Sequence, residues 1–283
     1  MIANDWQRRF DDLAARRTAA ASVPLPPVRT IADRGAQRGL TAIADSWSST
    51  VFDGPFYQTP SDGGLSCGVV FVRSADGNTG TDDPSSLGGG PVDEHVIYEG
   101  LTRVAADGVV IGAGTLSRDS FFTVWRPELV ELRDHAFGLP CHPAQIVLTA
   151  DGSVDAAGVL LFNVPSVPVF VITSPAGADR LSAALRERPW ITAIPGSSLG
   201  DQLDALRRHG LRRLISVGGR RSASELVDGG FVRDVYLTTT ASHEGAPGTP
   251  WYTGTRHLSL ETVVVKEWNG ADGVVHFEHS LLR

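Results

Sequence analysis

From residue 67 onward the chain is punctuated by short runs of aliphatic and β-branched residues, at 68–73, 108–111, 145–148, 167–172, 191–194, 213–217 and 232–239. Runs of this length, rich in Val and Ile and bounded by Gly, Pro or Asp, suit buried strands better than helices. Between them the apolar positions recur every three or four residues, at 92–105, 178–187, 199–209 and 222–228, which puts one helix face on a core. Strand and helix patterns in alternation predict strand–helix–strand units, and so an α/β fold with a mostly parallel sheet flanked by helices. The tail departs from this rhythm. Two strand-like runs, 260–267 and 274–280, are separated by Asn269, Gly270, Asp272 and Gly273, a turn-forming cluster that predicts an antiparallel hairpin closing the sheet.

The first part of the chain has a different texture. An amphipathic pattern over 6–20 predicts a helix; Pro24, Pro26 and Pro27 follow, and 31–44 is a second, weakly periodic piece. Residues 1–65 are therefore expected to be an N-terminal extension, packed on the main domain at 66–283 or on a partner subunit.

Charge and composition narrow the function. With 25 basic against 32 acidic residues in 283 and a formal charge of -7, and no Lys/Arg block, neither nucleic acid nor an anionic membrane is an expected partner. Cys67 and Cys141 are far apart and outside any Cys-x-x-Cys spacing, which argues against a disulfide framework and for reduced, half-buried thiols. The first 17 residues lack the apolar run of a signal peptide, and the most apolar later stretch, 154–173, is broken by Asn163, Pro165 and Pro168. A cytoplasmic protein is the expectation. The eight histidines make no His-x-x-x-His or His-x-Glu pattern, so no metal is expected and they are read as surface or core residues.

Two turns carry the candidate chemistry. The run 108–111 empties into Gly112-Ala113-Gly114-Thr115. At the carboxyl end of a strand such glycines let backbone amides approach a phosphate, and a following helix start adds positive dipole. It is neither a Rossmann fingerprint nor a Walker loop, and alone it reads equally as a tight turn. The second turn is Val217-Gly218-Gly219 with Arg220 and Arg221 beside it, the arginines being available as phosphate ligands. Two glycine-rich strand ends in one parallel sheet suit a dinucleotide, which needs backbone donors for its diphosphate and a bare surface for its nicotinamide.

Taken in order, 71–78, the helix containing His95 and Leu101, Gly112-Ala113-Gly114-Thr115, Gly210-Leu211-Arg212-Arg213-Leu214 leading into Gly218-Gly219, and 226–236 resemble the successive blocks of the pyrimidine reductase domain of riboflavin biosynthesis, over roughly residues 67–240. The resemblance implies a dihydrofolate-reductase-like sheet, NADPH across the carboxyl ends of its strands, a small-molecule substrate and commonly a homodimer. It places Gly112, Ala113, Gly114 and Thr115 on the cofactor diphosphate and Val217, Gly218 and Gly219 near the nicotinamide. It also makes Thr149 the candidate for the adenosine 2′-phosphate and puts Ser74, Asp76 and Asp119 on the substrate side. Asp76 is the candidate catalytic residue, positioning or protonating a ribosylamino-pyrimidine; the plainer reading is a turn aspartate holding its own Asp-Gly turn.

Two departures widen the substrate question. The family's Glu-Gly-Gly-Pro is here Val217-Gly218-Gly219-Arg220, closer in texture to dihydrofolate reductases, and 121–143 lacks the arginine-containing strand that holds a ribose phosphate. Arg118, Arg126 and Arg133 are the arginines at hand, and Trp125 is the one aromatic in a segment expected to border the substrate, the plainer reading being a core residue. A dihydrofolate or pterin reductase, or a non-catalytic nucleotide-binding protein of the same fold, are the alternatives.

Overall fold

The computed structural model describes residues 2–61 and 63–283. Helix α1 (Ile2–Ala21) leads to β1 (Val28–Asp33), β2 (Thr41–Ile43), α2 (Ser46–Val51) and β3 (Phe56–Gln58). The body then runs through β4 (Ser66–Arg73), a long helix α3 made of Gly90–Val92, Asp93–Leu101 and Thr102–Val104, β5 (Gly108–Gly112) and α4 (Pro127–Phe137). After these come β6 (Ala144–Leu148), β7 (Val169–Thr173), α5 (Pro175–Leu185), β8 (Ile191–Pro195), α6 (Leu199–Arg208), β9 (Arg213–Ser216) and α7 (Arg220–Asp228). Three strands close the chain: β10 (Val232–Thr239), β11 (Leu260–Gly270) and β12 (Gly273–Leu282).

Among the described residues ten strands form one sheet, in the order β1-β11-β12-β10-β4-β9-β5-β6-β7-β8. From β10 to β8 every pairing is parallel, and β12, β11 and β1 are added antiparallel at one side. This is the mixed, mostly parallel sheet with a C-terminal antiparallel hairpin that the alternation of patterns predicts. The parallel strands are nearly continuous apolar runs because both of their faces are covered. Val70, Val109, Ile111 and Ile215 pack toward α1, α3 and α4, while Val69, Phe71, Val110 and Leu214 pack toward α6 and α7.

Several expectations need correction. The weakly periodic piece at 31–44 holds the end of β1, which pairs with β11, a short 3-10 turn at Ala36–Arg38, and β2, which pairs with β3. β1 thus joins the sheet edge, and Thr59 donates its backbone N–H and its hydroxyl to the buried Asp234 at 3.1 and 2.9 Å. Helix α4 has no counterpart among the expected helices. Trp125 is in the core against Phe121. Cys67 is fully buried, its thiol pushed up to about 12 by that burial, and Cys141 is exposed. Among the described residues no helix is long and apolar enough to cross a membrane.

One buried ammonium ties the N-terminal segment to the sheet. Lys266, on β11 and wholly buried, donates to Thr30 Oγ1 at 2.7 Å and to the carbonyls of Phe52 and Asp53 at 2.8 and 3.1 Å, with the Phe56 ring 5.0 Å away. Burial brings its pKa down to about 8, against the opposing charges of Asp33 and Asp53. A lysine whose folded pKa is lowered binds fewer protons folded than unfolded, so stability rises with pH between about 8 and the ordinary value of 10.5. In Lys266→Met that rise should vanish. Urea unfolding across this window should move in favour of the wild type by up to about 3 kcal/mol, and parallel pH profiles would refute the assignment.

Candidate functional site at the strand ends

Parallel neighbours release their chains at the same edge of the sheet, so the pairing of β5 with β9 decides whether the two glycine turns meet. They do. Gly108, Val109 and Val110 lie opposite Leu214, Ile215 and Ser216, and the Val217 N–H extends the ladder to the Val110 carbonyl at 3.2 Å. Beyond that point Thr115 stands between the turns. A side chain at Gly219 would begin 3.4 Å from Thr115 Oγ1 and 3.5 Å from Ser222 Oγ, and one at Gly112 would begin 2.7 Å from Ser222 Oγ. Gly219 also has φ +81°, a conformation that side chains disfavour.

Helix α7 starts at this junction with Gly219 as its N-cap and no side-chain cap bond. Its first amide N–H groups therefore point at the two turns without a side-chain acceptor, an arrangement that suits an anion. Arg220 is half-buried at the helix start, and the exposed Arg221 pairs with Glu225 at 3.2 Å.

On the β4 side the turn 74–78 is closed by its own bonds. Ser74, fully buried, donates its N–H to the Asn78 carbonyl at 3.0 Å and takes the Asn78 N–H on its hydroxyl at 3.2 Å. The Ala75 N–H reaches the Ser242 carbonyl at 2.8 Å, stitching this turn to the end of β10. That stitch brings His243 Nδ1 to 2.5 Å from Asp76 Oδ1, both groups remaining exposed. Nothing in the sequence flagged His243, since only the parallel pairing of β10 with β4 unites the two turns.

Two further groups at this end were missed. Asp93, in the first turns of α3, is buried to 7% exposure beside Thr238, which sits opposite Val72 of β4. Burial pushes its pKa up to about 6, with the Glu94 charge in the same direction and the Thr238 hydroxyl opposing. In the sequence an acid in a helix's first turn is ordinary, so it drew no attention. Tyr98 donates its hydroxyl to the Val217 carbonyl at 3.0 Å, directly before the Gly218-Gly219 turn, and burial keeps the phenol above its usual range. Between Asp93 and Leu101 the helix is wound with i→i+5 bonding, a widening seen most often at functional sites.

The remaining expected residues disperse. Asp119 is ion-paired with Arg9 of α1, through Nε at 2.6 Å. Arg118 is exposed, and its carbonyl accepts the Leu160 N–H at 2.9 Å. Arg126 is buried, donates to the Ala21 and Val23 carbonyls at 2.5 and 3.1 Å and lies over the Trp47 ring; it is not brought to the glycine turns. Arg133 is equally committed, with bonds to the carbonyls of Arg103, Val104 and Ala106 at 2.7 to 3.0 Å. Thr149, just past the end of β6, donates to Asp151 Oδ1 at 3.3 Å. A separate cleft of about 680 Å³ opens between Pro24, Ser85, Gly90, Trp268 and Asp272, and none of the glycine-turn residues lines it.

The architecture is that of solved reductase structures. Against a pyrimidine reductase-like protein of Corynebacterium diphtheriae the TM-score is 0.58 at 20% identity, covering 77% of this chain and 92% of the other. The chain has a pyrimidine-reductase-like fold. The riboflavin biosynthesis reductase Rib7 of Saccharomyces cerevisiae gives 0.51 at 15% identity, covering 80% and 93%, and RibD of Acinetobacter baumannii gives 0.59 at 13%, covering 78% of this chain and 59% of that one. No family model matches the sequence, and no curated protein matches it.

The Asp93 carboxyl makes a measurable demand on stability. An acid whose folded pKa is raised holds its proton to higher pH folded than unfolded, so stability falls as pH rises from about 4 to about 6. Asp93→Asn should therefore be more stable than the wild type at pH 7, by up to about 3 kcal/mol, with the gain fading by pH 4. Thermal unfolding at the two pH values checks this; a variant less stable at pH 7 would mean that the buried carboxylate is held by partners that favour its charge.

Proposed function

We propose that this protein is a nicotinamide-dependent reductase of the riboflavin-pathway type, binding its cofactor across the ends of β9, β5 and β6. The observation that carries the reading is the meeting of the two glycine turns at Thr115, beside the uncapped start of α7. A diphosphate needs several convergent N–H donors, which the start of α7 would provide, and the hydroxyls of Thr115 and Ser222 at the junction could donate to it as well. NADPH is the form that the resemblance implies, and NADH would serve the same chemistry. When bound, the dinucleotide supplies a hydride from its nicotinamide ring, which in the pyrimidine reaction goes to the sugar carbon of a ribosylamino group.

What the chain's own residues contribute is position and a proton. Gly218 and Gly219 leave a bare surface for a planar ring, and the Tyr98 phenol, kept protonated, closes the Val217 carbonyl beside it. Asp76, paired with His243 at 2.5 Å, is the proposed group at the substrate's sugar side. Ser74 shapes the turn that carries Asp76. Replacing Asp76 by Asn should lower kcat at least tenfold while leaving cofactor affinity within about twofold; unaltered kcat would leave it a turn residue only.

A second reading, reduction of a pterin or dihydrofolate, is favoured by the arginines: Arg126 and Arg133, expected for a ribose phosphate, hold backbone carbonyls instead. The Asp93 carboxyl could accept adjacent ring N–H and amino donors in a fork from either ring, a 2-amino-4-oxo ring or a 6-ribosylamino-uracil.

Nicotinamide fluorescence on titration, followed by turnover with a ribosylamino-pyrimidine and with dihydrofolate, separates the readings. Binding in the micromolar range, weakened at least tenfold in Gly219→Val, is the expected result, and the substrate that turns over faster decides between the two. A response identical in the wild type and Gly219→Val would sink the cofactor site, and no turnover of either compound would leave a nucleotide-binding protein.

A further inference from the structure

The half of the cleft away from the substrate side carries a fixed carboxylate. On that side of β5 the next strands are β6 and β7, with Leu148 opposite Gly112 and Ile172 opposite Leu148. Strands lie about 4.8 Å apart, so a dinucleotide with its diphosphate at Thr115 and its nicotinamide toward β9 lays its adenosine ribose over the ends of β6 and β7. This placement rests on the reductase reading above.

The chain leaves β6 through Thr149, Ala150, Asp151, Gly152 and Ser153. Asp151 Oδ1 accepts the Ser153 N–H at 3.0 Å and the Thr149 hydroxyl at 3.3 Å; Oδ2 accepts the Ser153 hydroxyl at 2.8 Å and Arg180 Nη1 at 3.1 Å. Those bonds, the Ser153 pair first, hold its pKa down to about 2, so the group is anionic at any physiological pH. It is also pinned. Gly152 has φ +75°, and a side chain there would begin 2.3 Å from the Gly177 carbonyl in the first turn of α5. The loop backbone therefore rests on that helix at Gly152, and Asp151 beside it is exposed.

Arg180, the cation beside it, also reaches Ser153 Oγ at 3.2 Å. Its charge is matched by that of Asp151, and the pair leaves no surplus positive charge for a second anion. A ribose diol and a ribose 2′-phosphate meet this surface differently. The diol brings hydroxyl donors, and the long bond from Thr149 is the one that a ribose hydroxyl can replace. The phosphate brings about two negative charges against a carboxylate whose cation is already engaged. An acid accepting from the ribose 2′-hydroxyl is a recognised device for selecting the unphosphorylated dinucleotide, whereas a nearby arginine accommodates the phosphate; here the nearby arginine, Arg180, is already paired with the acid.

We infer that Asp151 selects an unphosphorylated adenosine ribose, so that this protein takes NADH in preference to NADPH.

The test uses the full chain and two nucleotides that carry only this end of the cofactor and differ only in the 2′-phosphate: AMP and adenosine 2′,5′-bisphosphate. Calorimetric affinities should favour AMP by at least about tenfold in the wild type. In Asp151→Asn, which keeps the size and the bond from Ser153, the ratio should fall to within about threefold, by tighter binding of the bisphosphate. Fluorescence titration with NADH and NADPH should show the same order and the same narrowing. Tighter bisphosphate binding by the wild type, or a ratio unchanged in Asp151→Asn, overturns the selection while leaving the reductase reading standing. Failure of all four compounds to bind overturns both.

Discussion

Neighbouring parallel strands deliver their terminal turns to one edge of the sheet, and here both turns, after β5 and β9, are rich in glycine. A methyl group at Gly112 would meet the Ser222 hydroxyl at 2.7 Å, so the first-turn serine of α7 would have to turn aside. Parallel pairing brings both turns to one edge, the helix start faces them with unfilled N–H groups, and Thr115 bridges them. Every functional statement about this protein depends on that junction. The glycines are thus needed for the backbone's close approach as much as for its conformation.

Around the junction the buried charges divide by purpose. Arg103, Arg126, Arg133 and Lys266 direct their donors at backbone carbonyls, and each ties one segment of chain to another. A buried cation stripped of such partners would be strongly destabilising, which is why these side chains are unavailable to a ligand. Asp93 is a buried group of the opposite sign. Its pKa is raised because burial outweighs the neighbouring Thr238 hydroxyl, and a group held at such a disadvantage near a strand-end cleft belongs with function more readily than with stability.

The two flanks of the junction have contrasting electrostatics. Toward β4 and β10 lie the Tyr98 phenol and the Asp93 carboxyl, both buried and both with pKa values raised by that burial. Toward β6 and β7 lie a carboxylate far below its ordinary pKa and its paired arginine, both exposed. One strand order generates both environments, since the same edge of one sheet passes from α3 to α5.

The alternation of short apolar runs with helical periodicity was enough for the α/β class, for the parallel body and for the closing hairpin. Those features follow from local periodicity and from turn residues such as Asn269 and Gly270, which act within a few positions along the chain. The glycine turns were legible too, because a strand ending in paired glycines is a local pattern. What the local pattern could not carry was partnership across the fold. That β1 joins β11, that Arg126 turns to the Ala21 carbonyl, that His243 meets Asp76 and that Asp93 is buried beside Thr238 are all long-range events. A side chain's chemistry is set by its burial and by its neighbours, and for a charged residue both are decided only when distant strands pair. Residue types along this chain therefore determined where the two bare turns would fall; tertiary packing decided which charges stand beside them.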